Sequence, residues 1–503
     1  MTIRLLLWLC LLSCAAADAA PRFARVFADH MVLQRDRPCR IWGSDADVSK
    51  SLSVRFRDVQ VAVKIAPTGN WEARLPGLAT SGQGRELELL EDGHLVTALK
   101  DVVVGDVWLA AGQSNMQFPV RGMVKGLPEA QEWVDTARFP LIRFRRINDP
   151  VLADRGNEAV DLATTEVWKV MTPETVMNFS AVAAVFAREV HERLRVPIGV
   201  IDVSWGGKPI EPFIPREAFA TPLLQRIRDL ADADRLDELA RLPGGLIIRN
   251  PEGHPGAIFN ARMAPVTRFA LRGFLWYQAE SNAGRGEDPR EYRHKMRALV
   301  AGWRARWQNA ELPVCYVQLP SYPPASGWIR MREEQRRALD IPNTGMAVTI
   351  DVRGEDIHPP DKLSVGRRLA KLALAGTYGR NNVVAAGPAY RSHSVEGRLV
   401  RVVFDHAEDG LMVADKPDVV PARATPGAEL QWFEVAGADG VWHAASARID
   451  GGTVIVQSTE VARPVEVRYA CHTQPQGGNL YNRAGLPAAP FCSRLEWLPW
   501  MSQ

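Results

Sequence analysis

Charge of one sign is scarce in this sequence: 61 lysines and arginines stand against 58 aspartates and glutamates, a formal net charge of +3 over 503 residues. Nucleic-acid binding calls for a concentrated basic face, so no nucleic-acid partner is expected. Long apolar runs are also missing. The clearest, residues 5–14, is too short to span a bilayer, and no later stretch qualifies, so no membrane span is expected. Cysteine is sparse, with only Cys39, Cys315, Cys471 and Cys492 beyond the first few residues, and no Cys/His spacing resembles a zinc site. Cys471 and Cys492 flank one loop-rich stretch and are the candidates for a disulfide; buried free thiols are the alternative.

What is present begins with a targeting signature. Arg4 supplies a positive start, the apolar run follows, and Ala15-Ala16-Ala17-Asp18-Ala19 offers the small residues a signal peptidase needs. Cleavage is placed after Ala19, because a cut directly before Pro21 is less favourable, which predicts an exported protein, periplasmic or secreted. The mature chain is too long for one hydrophobic core, so two or three domains are expected. Its 15 tryptophans are numerous; rings of this kind stack on sugar faces, but more often they fill cores.

The patterning divides the chain. Residues 20–100 alternate apolar and polar positions in short runs such as 51–56, 69–75 and 86–89, predicting an N-terminal β-domain. Across residues 101–380 apolar strands at 106–111, 199–203, 273–277 and 314–319 alternate with helical stretches such as 180–194. That rhythm predicts an α/β domain with a parallel sheet. An insertion at about 216–260, charged and helical and then Gly/Pro-rich around His254, is placed to overhang a site. Short alternating strands return over residues 381–503, predicting a C-terminal β-domain.

Four blocks carry chemistry, and each follows a predicted strand. Gly112-Gln113-Ser114-Asn115-Met116 puts a serine just past a strand's carboxyl end, where open α/β sheets place their sites; a helix cap is the plain alternative. Ser204-Trp205-Gly206-Gly207-Lys208-Pro209 offers a glycine turn with donor N–H groups. Gln278-Ala279-Glu280-Ser281-Asn282 adds a side-chain amide, and Gly354-Glu355-Asp356-Ile357-His358-Pro359 an imidazole with two carboxylates close by. Serine ester cleavage needs these parts: a nucleophile, a base, an acid that orients the base, and oxyanion donors.

These blocks resemble the sialate O-acetylesterase family of the SGNH hydrolases, through the run from Asp106 to Met116, the second and third blocks, Asp356-Ile357-His358-Pro359, and Asn479-Leu480-Tyr481-Asn482 and Gly485-Leu486-Pro487 near the end. The resemblance implies a flavodoxin-like core between two β-domains. It also implies hydrolysis of acetyl esters on sugars by a serine carboxylic-ester hydrolase, without metal or organic cofactor. The substrate would be an acetylated glycan, either sialic acid or a plant hemicellulose such as xylan or xyloglucan. Carried onto this chain, Ser114 is the nucleophile and His358 the base. Gly207, or alternatively Gly206, joins Asn282 and the Ser114 N–H as the oxyanion hole, and Trp205 and Gln278 are assigned to substrate binding; Trp205 and Trp276 border the site, with sugar stacking and core packing the two readings for each. For the acid, the family's three-residue spacing before the histidine favours Glu355, with Asp356 and Glu280 as alternatives. Ala279 stands where the family usually has glycine, and its methyl is expected to narrow the pocket. The rival readings are a sugar-binding protein on a degenerate scaffold and a lipase or thioesterase of the same fold. His30, His191 and His294 read as surface or packing residues, and the helix through Arg367 and Arg368 as a cover with a solvated face.

Overall fold

The computed structural model describes residues 20–151, 157–284, 288–322, 327–352, 354, 356–417, 419–475, 477–498 and 500. The proposed signal segment and Glu355 lie outside these.

The organising element is one long strand, β1 (His94–Gly112). Its first half is partly exposed and pairs antiparallel with Ser81–Glu91 of the N-terminal β-region; its second half is wholly buried. The unbroken apolar run Val102-Val103-Val104, with Val107 to Ala111 after it, suits a strand covered on both faces. The boundary expected near residue 100 therefore falls inside a strand.

The buried half of β1 anchors a sheet with β2 (Phe139–Arg146), β3 (Lys169–Met171), β4 (Ile198–Asp202), β5 (Gly273–Tyr277), β6 (Val314–Val317) and β7 (Thr344–Ala347), in the order β3-β2-β4-β1-β5-β6-β7. All neighbours run parallel except β3, which pairs antiparallel at the edge. The fold is thus mixed α/β with a mixed sheet and further β-sheets around it. After β1 the chain goes to one side for β4 and to the other for β5, so a crevice opens at the carboxyl end of β1.

Alternate side chains of the sheet feed two cores. Trp108, Ala110, Leu275 and Tyr277 meet helices α1 (Ala181–Leu194) and α2 (Lys362–Leu372). Val107, Leu109, Ala111, Phe274 and Trp276 meet the helices Tyr292–Arg306 and Trp328–Arg337. This second core continues without a break into Phe23, Ile41 and Trp71 of the N-terminal β-region. The inserted helices Pro222–Asp232 and Leu236–Arg241 pack on it through Leu224, Ile227 and Leu239.

Among the described residues beyond 380, three small antiparallel sheets enclose a core of their own, including Val402, Phe433, Val454 and Phe491. Buried polar links join it to the α/β region. Tyr481 Oη donates to Asp351, which is gripped by both guanidinium nitrogens of Arg368 at 2.6 and 2.7 Å. Arg368 is therefore buried, not part of a solvated face; Arg367 beside it is half-exposed against Glu189. All four described cysteines are buried and free, the Cys471 and Cys492 thiols donating to separate carbonyls.

Candidate active site

Leaving the sheet at the end of β1 requires a residue without a side chain. Gly112 has φ +134°, and a Cβ there would lie 2.1 Å from the Tyr277 carbonyl oxygen. The next residue, Gln113, donates its N–H to that same carbonyl at 3.0 Å, so the turn is locked against β5. Ser114 then opens a single helical turn, Ser114–Gln117. The Gln113 carbonyl accepts from Met116 and Gln117, while the N–H groups of Ser114 and Asn115, being first in the helix, have no intrahelical acceptor.

His358 faces this turn from the loop that precedes α2. Its Nε2 lies 2.7 Å from Ser114 Oγ, and its Nδ1 lies 3.0 Å from Asp356 Oδ1. The same carboxylate oxygen accepts the His358 backbone N–H at 2.8 Å. This turn, closed by an aspartate on the N–H two residues later, is what lets a two-residue spacing deliver a carboxylate to the ring. With Nδ1–H donating to Asp356, Nε2 is left as acceptor for the serine hydroxyl. Phe118 stacks on the imidazole, centroids 6.1 Å apart and planes 17° from parallel. Glu280 does not join this line. It is buried and accepts from Asn115 Nδ2 at 2.5 Å, and burial raises its carboxyl above the usual range.

The two glycines after β4 differ. Gly206 donates its N–H to Gln117 Oε1 at 2.8 Å. Gly207, exposed at φ +69°, donates its N–H to no partner among the described residues. Gln117 is a residue the sequence reading missed; it fixes which glycine remains available. Asn282 is 2% exposed: its Oδ1 accepts from Ile210 N and Gln278 Nε2, and its Nδ2 donates to Glu211. Glu211 is itself held by the buried Lys295 at 2.5 Å. Both Glu211 oxygens accept from the Asn282 Nδ2, Oε1 at 3.4 Å and Oε2 at 3.2 Å.

Two expectations are corrected. Gln278 does not face substrate, since it is fully buried, donates to Gln113, Lys208 and Asn282, and accepts from Tyr292 Oη at 2.8 Å. The Ala279 methyl lies in the second core, not in an open pocket. Its backbone, at φ +155° and ψ −14°, is one a glycine adopts freely and an alanine does not. Trp276 is a core residue packed edge-on against Phe213 and Trp303. Trp205 is partly exposed, with the Arg262 guanidinium 3.8 Å from its ring centroid, and the insertion reaches this block where Asn250 accepts from Lys208 Nζ at 2.8 Å. Of the remaining histidines, His30 pairs with Asp101, His191 is bonded to the Val196 carbonyl, and His294 is exposed.

Comparison with known proteins identifies the family. Residues 254–375, which hold the Gln278–Asn282 block and His358, match the family described as carbohydrate esterase, sialic acid-specific acetylesterase. Sialate O-acetylesterase of Rattus norvegicus is 29% identical over 437 residues, covering 76% of this chain and 79% of its own. The Homo sapiens protein of that name is 28% identical, covering 77% and 76%. The crystal structure of a carbohydrate acetylesterase from Xanthomonas citri superposes with a TM-score of 0.81 at 32% identity, over 94% of this chain and all of that one. A helix long and apolar enough to cross a membrane is absent among the described residues. With that identity over nearly the full length and a family match across the histidine block, the chain belongs to the sialate O-acetylesterase family of carbohydrate esterases.

Proposed function

We propose that this carbohydrate O-acetylesterase works through an acetyl-enzyme on Ser114, with His358 as base and Asp356 as the carboxylate that orients it. The observation that carries the reading is the 2.7 Å approach of His358 Nε2 to Ser114 Oγ, beside a crevice at the carboxyl end of β1. Ser114 Oγ attacks the acetyl carbonyl carbon as its proton passes to Nε2. The carbonyl oxygen becomes an oxyanion that receives hydrogen bonds from the Ser114 and Gly207 N–H groups and the Asn282 side-chain amide. Asp356 holds the Nδ1–H tautomer and steadies the imidazolium. Collapse breaks the bond to the sugar oxygen, which leaves with the proton from Nε2. Water, deprotonated by His358, then attacks the acetyl-serine carbonyl, and acetate departs with the serine reprotonated.

The core is read as SGNH-type and flavodoxin-like, because the strands β4-β1-β5-β6-β7, numbered in chain order among themselves, run 2-1-3-4-5. It is read as flanked by β-domains over residues 20–100 and 381–503. Trp205 is assigned to the sugar, with one face of its ring covered by Arg262. The substrate is assigned as an acetylated glycan, and a cleft of about 960 Å³ beside Asp356, lined also by Asp415, Thr425 and Asn479, has room for more than one sugar ring. Export to the periplasm or beyond rests on residues 1–19. Acetate release from acetylated sialic acid, xylan and xyloglucan, compared side by side, identifies the glycan. Ser114→Ala is expected to lower kcat by roughly 10⁴-fold or more while leaving the melting temperature near wild type. Esterase activity close to wild type in that variant rejects the mechanism.

A further inference from the structure

Beneath the serine and the histidine lies a buried charge that the reaction steps above do not use. Lys362, the first residue of α2, is fully buried. A cation there stands at the end of a helix where the macrodipole disfavours it, and buried lysines need a strong partner. The Lys362 ammonium donates to Asn115 Oδ1. The other end of that amide, Nδ2, donates both to Glu280 Oε1 at 2.5 Å and to the Ile357 carbonyl at 2.9 Å. Asn115 follows Ser114 in the chain and Ile357 precedes His358, so one amide ties the two reacting residues together. The ammonium also lies 5.0 Å from the ring centroid of Phe118, the ring that stacks on His358, and 5.5 Å from that of Tyr277. Glu280 keeps a second buried oxygen with no hydrogen-bond partner among the described residues, and the charge of Lys362 favours its ionised form.

Resting on the assignment of Ser114 and His358, we propose that Lys362 is a positioning residue for ester hydrolysis: through Asn115 it holds the Ser114 turn against the His358 loop while neutralising Glu280 below them. The alternative, an inert buried pair, does not account for a bridging amide whose partners are the neighbours of the two reacting residues. Burial pushes the ammonium down to about 7 against the pull of Glu280, Asp361 and Asp356, so the fold holds this lysine at a cost.

The test uses the full chain and an aryl acetate, with Ser114→Ala, Lys362→Met and the double variant Lys362→Met/Glu280→Gln assayed together. Lys362→Met is expected to lower kcat about a hundredfold with KM within about threefold, because misplacement of reacting groups costs rate and not ground-state binding. The double variant strands no charge and is expected to regain about tenfold of that loss without reaching wild type. A folded Lys362→Met with wild-type kcat overturns the proposal. Where the single variant fails to fold, wild-type kcat in the double variant overturns it instead. Activity retained in Ser114→Ala indicts the nucleophile assignment itself, a separate failure.

Discussion

Two histidines of this protein each meet a carboxylate at 3.0 Å, yet in different surroundings. His472, in the C-terminal β-region, lies against Glu434, whose side chain is 13% exposed and held by two nitrogens of Arg468 at 2.7 and 2.8 Å. Those partners outweigh burial and hold the Glu434 carboxyl down at about 2. His358 lies against Asp356, whose side chain is 73% exposed and has no other ion-pair partner among the described residues. Its far nitrogen meets a serine hydroxyl, where His472 has no such neighbour among the described residues. The pair alone is therefore not a catalytic signature. The first arrangement clamps a fold by surrounding its carboxylate with hydrogen-bond donors. The second leaves an exposed carboxylate on one side of the imidazole and a serine hydroxyl on the other.

The sharpest way to break this comparison is to remove both rings. His358→Ala is expected to lower kcat by roughly 10⁴- to 10⁶-fold, and His472→Ala to leave it within about twofold. Comparable losses in steady-state assays of the two variants would erase the distinction.

A smaller effect separates the carboxylates. Asp356→Asn is expected to lower kcat by about 10²- to 10⁴-fold through loss of the productive tautomer. Glu355→Gln, at the position that spacing favours, is expected to stay within about tenfold. Glu434→Gln should keep kcat and instead destabilise the fold by about 3 kcal/mol, since it strands the Arg468 guanidinium. Glu355→Gln losing more rate than Asp356→Asn would move the acid by one residue and restore the expected spacing.

How far the sequence discloses this difference depends on what local pattern encodes. Apolar runs ending in Gly-rich or polar blocks disclose the strand ends carrying Ser114, Gly207 and Asn282, because the ends of buried strands must meet turns. Which carboxylate meets the imidazole is not legible from spacing, because reach is decided by a turn that Asp356 itself closes on the His358 N–H. Gln278 misleads for a related reason: a polar residue after a strand suggests a surface, whereas here a ring of Gln113, Asn282 and Tyr292 satisfies it in the dark. The Asn115–Lys362 bridge joins positions 247 apart, and no periodicity reports a contact at that separation. The N-terminal boundary is blurred because β1 serves two sheets, so composition changes where the chain does not.

The smallest expected effect is on acid stability, and its sign follows from Glu434. Its folded carboxyl sits at about 2 against an ordinary 4.5, so the unfolded chain binds a proton at this position more readily than the folded one. Its contribution to stability is therefore fully present above about pH 4.5 and is lost as pH falls from there toward 2. Glu434→Gln has no proton to take up at this position. Its melting temperature, lower than wild type at pH 7, is expected to fall less steeply between those limits, so that the two curves converge in acid. Asp356→Asn, measured in parallel, is expected to track the wild-type curve, because an anchor this exposed contributes little to stability. Parallel curves for wild type and Glu434→Gln would mean that Arg468 and His472 do not grip Glu434 in solution, and the contrast between a structural and a catalytic pair would then rest on the serine alone.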